Sequence, residues 1–202
     1  MLNVLRPAVS RVLAPVGRTL ARMGVSPDVI TTVGTAGVVT AALTCYPSGR
    51  LFLGSMIIAF FGIADLLDGV LARMIGRKSK WGAFLDSTLD RVGDAAIFSG
   101  LILYLLLKDQ PEIVLAIVAL FCLVAGALVS YAKARAEGLG MTANVGIAER
   151  GERLVIVLVA AGLSGLGVPY VLAIGLWLLA VASAITVVQR MVHVYRQAVV
   201  DE

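Results

Sequence analysis

Residues 65–90 read DLLDGVLARMIGRKSKWGAFLDSTLD, which places Asp65, Asp68, Asp86 and Asp90 close together in a chain that is 59% hydrophobic and 15% charged. Average soluble proteins carry about 25% charged residues, and the mean hydropathy here is +0.95. Composition therefore points to a membrane protein, in which carboxylates are costly and usually functional. How this stretch is read decides whether the two helices that carry it cross the bilayer.

Uninterrupted apolar stretches run over Val29–Tyr46, Ile113–Ala132 and Tyr170–Val188. Each is near the roughly 20 residues that span a bilayer. Three further stretches, Leu51–Ala64, Ala95–Leu107 and Leu154–Val168, are shorter. At about 1.5 Å per residue the first two cover only about 20 Å of a roughly 30 Å hydrocarbon core. Each crosses only if its helix continues through the neighbouring aspartates. The expected fold is thus all-α with six transmembrane helices, near 29–47, 51–76, 83–107, 112–135, 150–166 and 168–196. The four acids then sit just inside one membrane face.

Of the 17 Lys and Arg residues, all but Arg50 and Lys108 fall on the side that carries both termini and the 65–91 segment. Positive charge marks the cytoplasmic side, so the termini and the aspartates are expected to face the cytoplasm of a cell-membrane protein. Residues 1–24 do not read as a secretory signal, because four arginines interrupt them and no long apolar region leads to a cleavage site. At helical spacing Leu2, Leu5, Val9, Val12, Leu13, Val16, Leu20 and Met23 share one face, opposite Arg11, Arg18 and Arg22. The segment is expected to be an interfacial amphipathic helix, bent at Pro7 and Pro15, lying among membrane lipids ahead of a six-helix domain over 25–202. Ser26-Pro27 reads as the N-cap and first position of the first span. Cys45 and Cys122 lie in apolar spans and read as packing residues; no metal or disulfide spacing involves them.

Asp65 and Asp68 are three apart, and Asp86 and Asp90 four apart, so each pair occupies one face of its helix. The short GRKSKW turn holds the two helices antiparallel, letting the pairs face one another. Hard oxygen donors without nearby histidine or thiolate favour Mg²⁺, Mn²⁺ or Ca²⁺. Four carboxylates match two divalent ions, the device used for in-line displacement at phosphorus. Gly69, Ala72 and Arg73 continue the stripe as two small residues and a guanidinium suited to phosphate oxygens. A bland reading, in which Asp65 and Asp68 merely pair with Arg73, Arg77 or Arg91, fits two aspartates better than four. Asp94 extends the stripe by one turn and reads as structural. A divalent-cation transporter is the non-enzymatic alternative, but transporters bind near the midplane and often show internal repeats. Neither feature is present here.

The order Asp65-x2-Asp68-Gly69-x2-Ala72-Arg73-x8-Gly82-x3-Asp86-x3-Asp90 resembles the signature of the CDP-alcohol phosphotransferase family without a departure. The six-helix layout is also similar to that family's, so the resemblance extends over nearly the whole chain. It implies transfer of a phosphatidyl group from CDP-diacylglycerol to an alcohol, with release of CMP. It further implies that Asp65, Asp68, Asp86 and Asp90 hold two divalent cations, Mg²⁺ or Mn²⁺, and that Asp90 accepts the proton of the attacking hydroxyl. An unperturbed Asp, with a pKa of about 3.9, needs a polarised hydroxyl for that role. Gly69, Ala72, Arg73 and Ser79 are implied in donor binding, together with Asp28, Val29, Ile30 and Thr31, where Asp28 replaces the commoner Asn. A homodimer is implied as well.

The acceptor must be read elsewhere. Ser130, Lys133 and Arg135 end the fourth helix, Arg150 and Arg153 open the fifth, and Arg190 lies on the sixth. Together these suit an alcohol that already carries phosphate. The stretch GIAERGERLV at 146–155 resembles actinobacterial phosphatidylinositol-phosphate synthases, which makes inositol 1-phosphate the expected acceptor. A phosphatidylglycerol-phosphate synthase using glycerol 3-phosphate is the alternative. Ser130, Lys133, Arg153 and Arg190 are the expected acceptor-phosphate residues, and His193 reads as packing. No nucleic-acid partner is expected.

Overall fold

The computed structural model describes residues 26–75 and 79–200, and of 64–75 and 200 the backbone alone. The interfacial helix expected over 1–24 therefore lies outside the described residues. Among these there are six helices and no strand: α1 (Pro27–Cys45), α2 (Leu51–Ile75), α3 (Lys80–Leu106), α4 (Ile113–Gly138), α5 (Arg150–Gly165) and α6 (Val171–Val200). Three of them, Pro27–Cys45, Ile113–Gly138 and Val171–Val199, are long and apolar enough to cross a membrane. Large apolar side chains point outward along them, among them Val114 at 68% exposure and Leu178 at 61%. Such an outer surface suits lipid rather than water.

The described residues form two compact units that divide after Gly100. In the first, Ser26 caps α1 by accepting a hydrogen bond from the Val29 amide, with Pro27 in the first turn, as the sequence predicts. Small residues let the helices close on one another, the usual basis of packing where lipid removes any hydrophobic drive. A Cβ at Gly37 would come within 2.5 Å of the Phe61 ring of α2. One at Gly100 would overlap the backbone carbonyl of Ala42, so α3 crosses α1 at van der Waals contact of their main chains. The fully buried Tyr46, just past α1, hydrogen-bonds Ser55 of α2 at 3.0 Å.

In the second unit the buried face of α4 is built from Ala116, Ala119, Cys122, Ala125, Gly126 and Val129. The buried stripe of α6 runs Leu172, Leu176, Leu179, Ser183, Thr186, Arg190. These positions recur every three or four residues, so one helix face changes from leucine to polar along its length. At the leucine end, Gly175 admits Ala160 of α5. At the polar end the partner is the connector between α4 and α5, residues 139–149. Between α5 and α6 the chain turns through Gly167 at φ 89° and Tyr170 at φ 60°, which explains why α6 starts at Val171 rather than near 168.

Candidate functional site

In the first unit, the starts of α1 and α3 meet. Ser79 accepts a 2.8 Å hydrogen bond from the Gly82 amide and so caps α3. A Cβ at Gly82 would lie 3.0 Å from Ser79 Oγ and 3.4 Å from Asp28 Oδ1. Ser79, Gly82 and Asp28 thus converge, with glycine leaving the space between the two polar side chains open. Val29 is exposed, Ile30 half-buried and Thr31 buried, its hydroxyl donating to the Pro27 carbonyl at 3.1 Å. Two turns along α3, Asp86 and Asp90 are both half-buried. Arg91 stands 3.8 Å from carboxylate oxygens of both Asp90 and Asp94. Arg91 thus pairs with Asp94 as well as with Asp90. Arg91 was not among the expected site residues, although its place beside Asp90 and three before Asp94 is a readable signal.

Positions 65, 68, 69, 72 and 73 lie on the continuous backbone helix of α2, so periodicity puts Asp65, Asp68, Gly69, Ala72 and Arg73 along one side of it. Their side chains lie outside the description, as do Arg77 and Lys78. No three His, Cys, Asp or Glu converge among the described residues. Asp86 and Asp90 are spaced one turn apart and supply only oxygen donors, which fits hard divalent cations rather than zinc or copper.

The second unit brings three expected acceptor residues to one turn of α4. The Ser130 hydroxyl donates to the Gly126 carbonyl at 3.1 Å. Arg153, buried in the first turn of α5, lies against Gly126, where a Cβ would come within 3.2 Å of its Nε. Arg190 of α6, also buried, donates from Nη1 to the Val129 carbonyl and from Nε to the Val145 carbonyl at 2.9 Å. Lys133 follows one turn beyond, half-buried and 3.9 Å from Glu137. Two buried guanidinium groups, from α5 and α6, thus flank residues 126–129 of α4, and Lys133 lies one turn beyond. His193 is half-buried, and its carbonyl accepts from Gln197.

Sequence reasoning missed Gly126 and the residues that tie the connector 139–149 to α6. Gly126 sits in an apolar run, and only its offset of four from Ser130 hints at a role. Thr142, Thr186 and Gln197 carried no signal, because their partnerships join segments far apart in the chain.

Residues 24–195 match the CDP-alcohol phosphatidyltransferase family. The phosphatidylinositol phosphate synthase of Streptomyces avermitilis is 49% identical over 200 residues, covering 96% of this chain and 82% of that protein. The crystal structure of the Mycobacterium tuberculosis phosphatidylinositol phosphate synthase with CDP-DAG bound is similar in fold, with TM-score 0.88 and 45% identity over 92% of this chain and 94% of that one. The same protein in complex with manganese and citrate aligns with TM-score 0.86 and 45% identity over 91% of this chain and 88% of the other.

Proposed function

Because the chain belongs to the CDP-alcohol phosphatidyltransferase family, and is thus a membrane-embedded transferase of phospholipid synthesis, we propose that it moves the phosphatidyl group of CDP-diacylglycerol to inositol 1-phosphate. The bond formed joins an inositol hydroxyl oxygen to the phosphorus bearing diacylglycerol. The bond broken is the one from that phosphorus to the bridging oxygen of the diphosphate, which leaves as part of CMP. The proton of the attacking hydroxyl passes to the carboxylate of Asp90.

Asp65, Asp68, Asp86 and Asp90 are assigned two divalent cations, Mg²⁺ or Mn²⁺. When bound, these neutralise phosphate charge and polarise the attacking hydroxyl. Asp28, Val29, Ile30, Thr31, Gly69, Ala72, Arg73 and Ser79 are assigned to the donor, where the open ground at Gly82 admits a nucleotide close to the backbone. Ser130, Lys133, Arg153 and Arg190 are assigned to the acceptor phosphate. Arg91, beside Asp90, helps hold that carboxylate in one orientation.

The same reading gives six transmembrane helices in a domain over 25–202, an interfacial helix over 1–24, and termini and site on the cytoplasmic face. It also gives a homodimer.

The observation that carries the acceptor assignment is the meeting of Ser130, Arg153 and Arg190 on one turn of α4. Fixed guanidinium groups around a helix turn suit an alcohol that already bears phosphate, and not free inositol. The test is CMP release by purified protein given CDP-diacylglycerol, Mg²⁺ or Mn²⁺, and inositol 1-phosphate, glycerol 3-phosphate or inositol in turn. Turnover with glycerol 3-phosphate alone overturns the acceptor. Cation flux in proteoliposomes without CMP release overturns the reaction.

A further inference from the structure

The connector 139–149 is held along the polar stripe of α6 at three points. Near its start, Gln197 acts as a strand edge: Oε1 accepts from the Thr142 amide at 3.0 Å and from its hydroxyl at 3.2 Å, while Nε2 donates to the Thr142 carbonyl at 2.7 Å. At its middle, Arg190 holds the Val145 carbonyl. At its end, the Thr186 hydroxyl accepts from the Ala148 amide at 3.1 Å and donates to the Ala182 carbonyl at 2.8 Å. Thr186 is fully buried, and both functions of its hydroxyl are in use. Between the last two points lies Gly146 at φ 137°, where a Cβ would overlap the Thr186 methyl.

Two residues after Ala148 the chain enters α5, and Arg153 follows within the first turn, its amide bonded to the Glu149 carbonyl at 3.0 Å. The register of α5, and with it the distance of the Arg153 guanidinium from Ser130, depends on where the connector ends. We infer that Thr186 and Gln197 are positioning residues for the acceptor: they touch no phosphate themselves but set its affinity by fixing the connector that delivers Arg153. The inference rests on the functional reading above, and it adds residues outside the acceptor and metal sets. Removing the Thr186 hydroxyl leaves the buried Ala148 amide without an acceptor, and a buried donor so orphaned is costly enough to move the connector.

The experiment measures KM for inositol 1-phosphate and for CDP-diacylglycerol, together with thermal stability in detergent, in wild type, Thr186→Val, Thr186→Ser and Gln197→Leu. Val keeps the shape of Thr but not its hydroxyl; Ser keeps the hydroxyl. Thr186→Val is expected to raise the acceptor KM about tenfold while the donor KM stays within about twofold, and Thr186→Ser to restore it. Gln197→Leu, at a half-buried position, is expected to raise the acceptor KM by about threefold, with the donor KM unmoved. A role in stability alone lowers the melting temperature and the active fraction with both KM values unchanged, and that result overturns the inference. If Thr186→Val does not fold, an unchanged acceptor KM in Gln197→Leu overturns it equally. A wild type inactive with inositol 1-phosphate rejects the functional reading first, before any variant is compared.

Discussion

The guanidinium of Arg153 lies flat against the space that a side chain at position 126 would fill: a Cβ on Gly126 would stand 3.2 Å from Nε, 3.3 Å from Cζ and 3.4 Å from Nη2. Alanine there needs the guanidinium to give by a few tenths of an ångström. Valine adds two more carbons in the same direction. Gly126→Val is therefore expected to raise the acceptor KM by about tenfold or more, with Gly126→Ala intermediate and donor binding retained. Steady-state titration of each substrate separates these outcomes, and an equal loss for both substrates removes the assignment.

Two glycines on α1 and α3 test what the helices pack against. At Gly100 an added methyl meets the Ala42 backbone carbonyl, which cannot move without displacing α1. At Gly37 it meets the Phe61 ring, which can swing aside. Gly100→Ala is expected to cost about 1–3 kcal/mol or more, a fall in melting temperature of roughly 2–4 °C per kcal/mol for a chain of this size. Gly37→Ala is expected to cost less. A thermal shift assay in one detergent ranks them, and the reverse order is the result that contradicts this packing.

Ser183 points the other way. Its hydroxyl is fully buried on α6 and has no hydrogen-bond partner among the described residues. Most helical serines relieve this by bonding the carbonyl four residues back, as Ser130 does. Ser183→Ala removes an unmet polar group with almost no change of shape, so it is expected to be neutral or to stabilise by about 1 kcal/mol. A drop in melting temperature of several degrees reveals a partner for the hydroxyl.

Asp90 and Asp94 both stand at 3.8 Å from Arg91, yet the proposed roles differ. Asp90→Asn is expected to lower CMP release by about 10²–10⁴-fold while CDP-diacylglycerol still binds, as loss of a proton acceptor should. Asp94→Asn removes a charge partner of a partly exposed arginine and is assigned no part in the proton transfer, so a loss within about tenfold is expected. Equal losses from both variants count against Asp90 as the proton acceptor.

The helices were legible in the sequence because each is an apolar run with a local stop. Ser26-Pro27 gave the start of α1, and Gly49, with φ 75°, lies in the break before α2. Bounds slipped where the signal was a single capping atom: α3 begins at Lys80 instead of near 83, because Ser79 closes its first turn. Ser130 and Arg153 were legible because charge and hydroxyl groups at helix ends stand out against a greasy background, and the structure brings both to Gly126. Arg190 was legible as a cation, but its bonds to Val129 and Val145 were not. The connector clamp was invisible for a physical reason. Its bonds join residues 38 to 55 positions apart, and no local periodicity records a partner at that distance.

Ser79 carries a consequence for which residues this position can accept. Its oxygen lone pair receives the Gly82 amide, and on the proposed function its hydrogen is the part offered to the diphosphate. Aspartate closes a helix as well as serine does, but it has no hydrogen to offer a diphosphate and sets a negative charge beside one. Ser79→Asp is therefore expected to leave α3 intact and abolish donor binding, whereas Ser79→Thr keeps both. On the proposed function, a position that looks like a simple helix stop is in this way confined to the hydroxyl residues, since the helix takes the acceptor half of the group and leaves the donor half for the diphosphate.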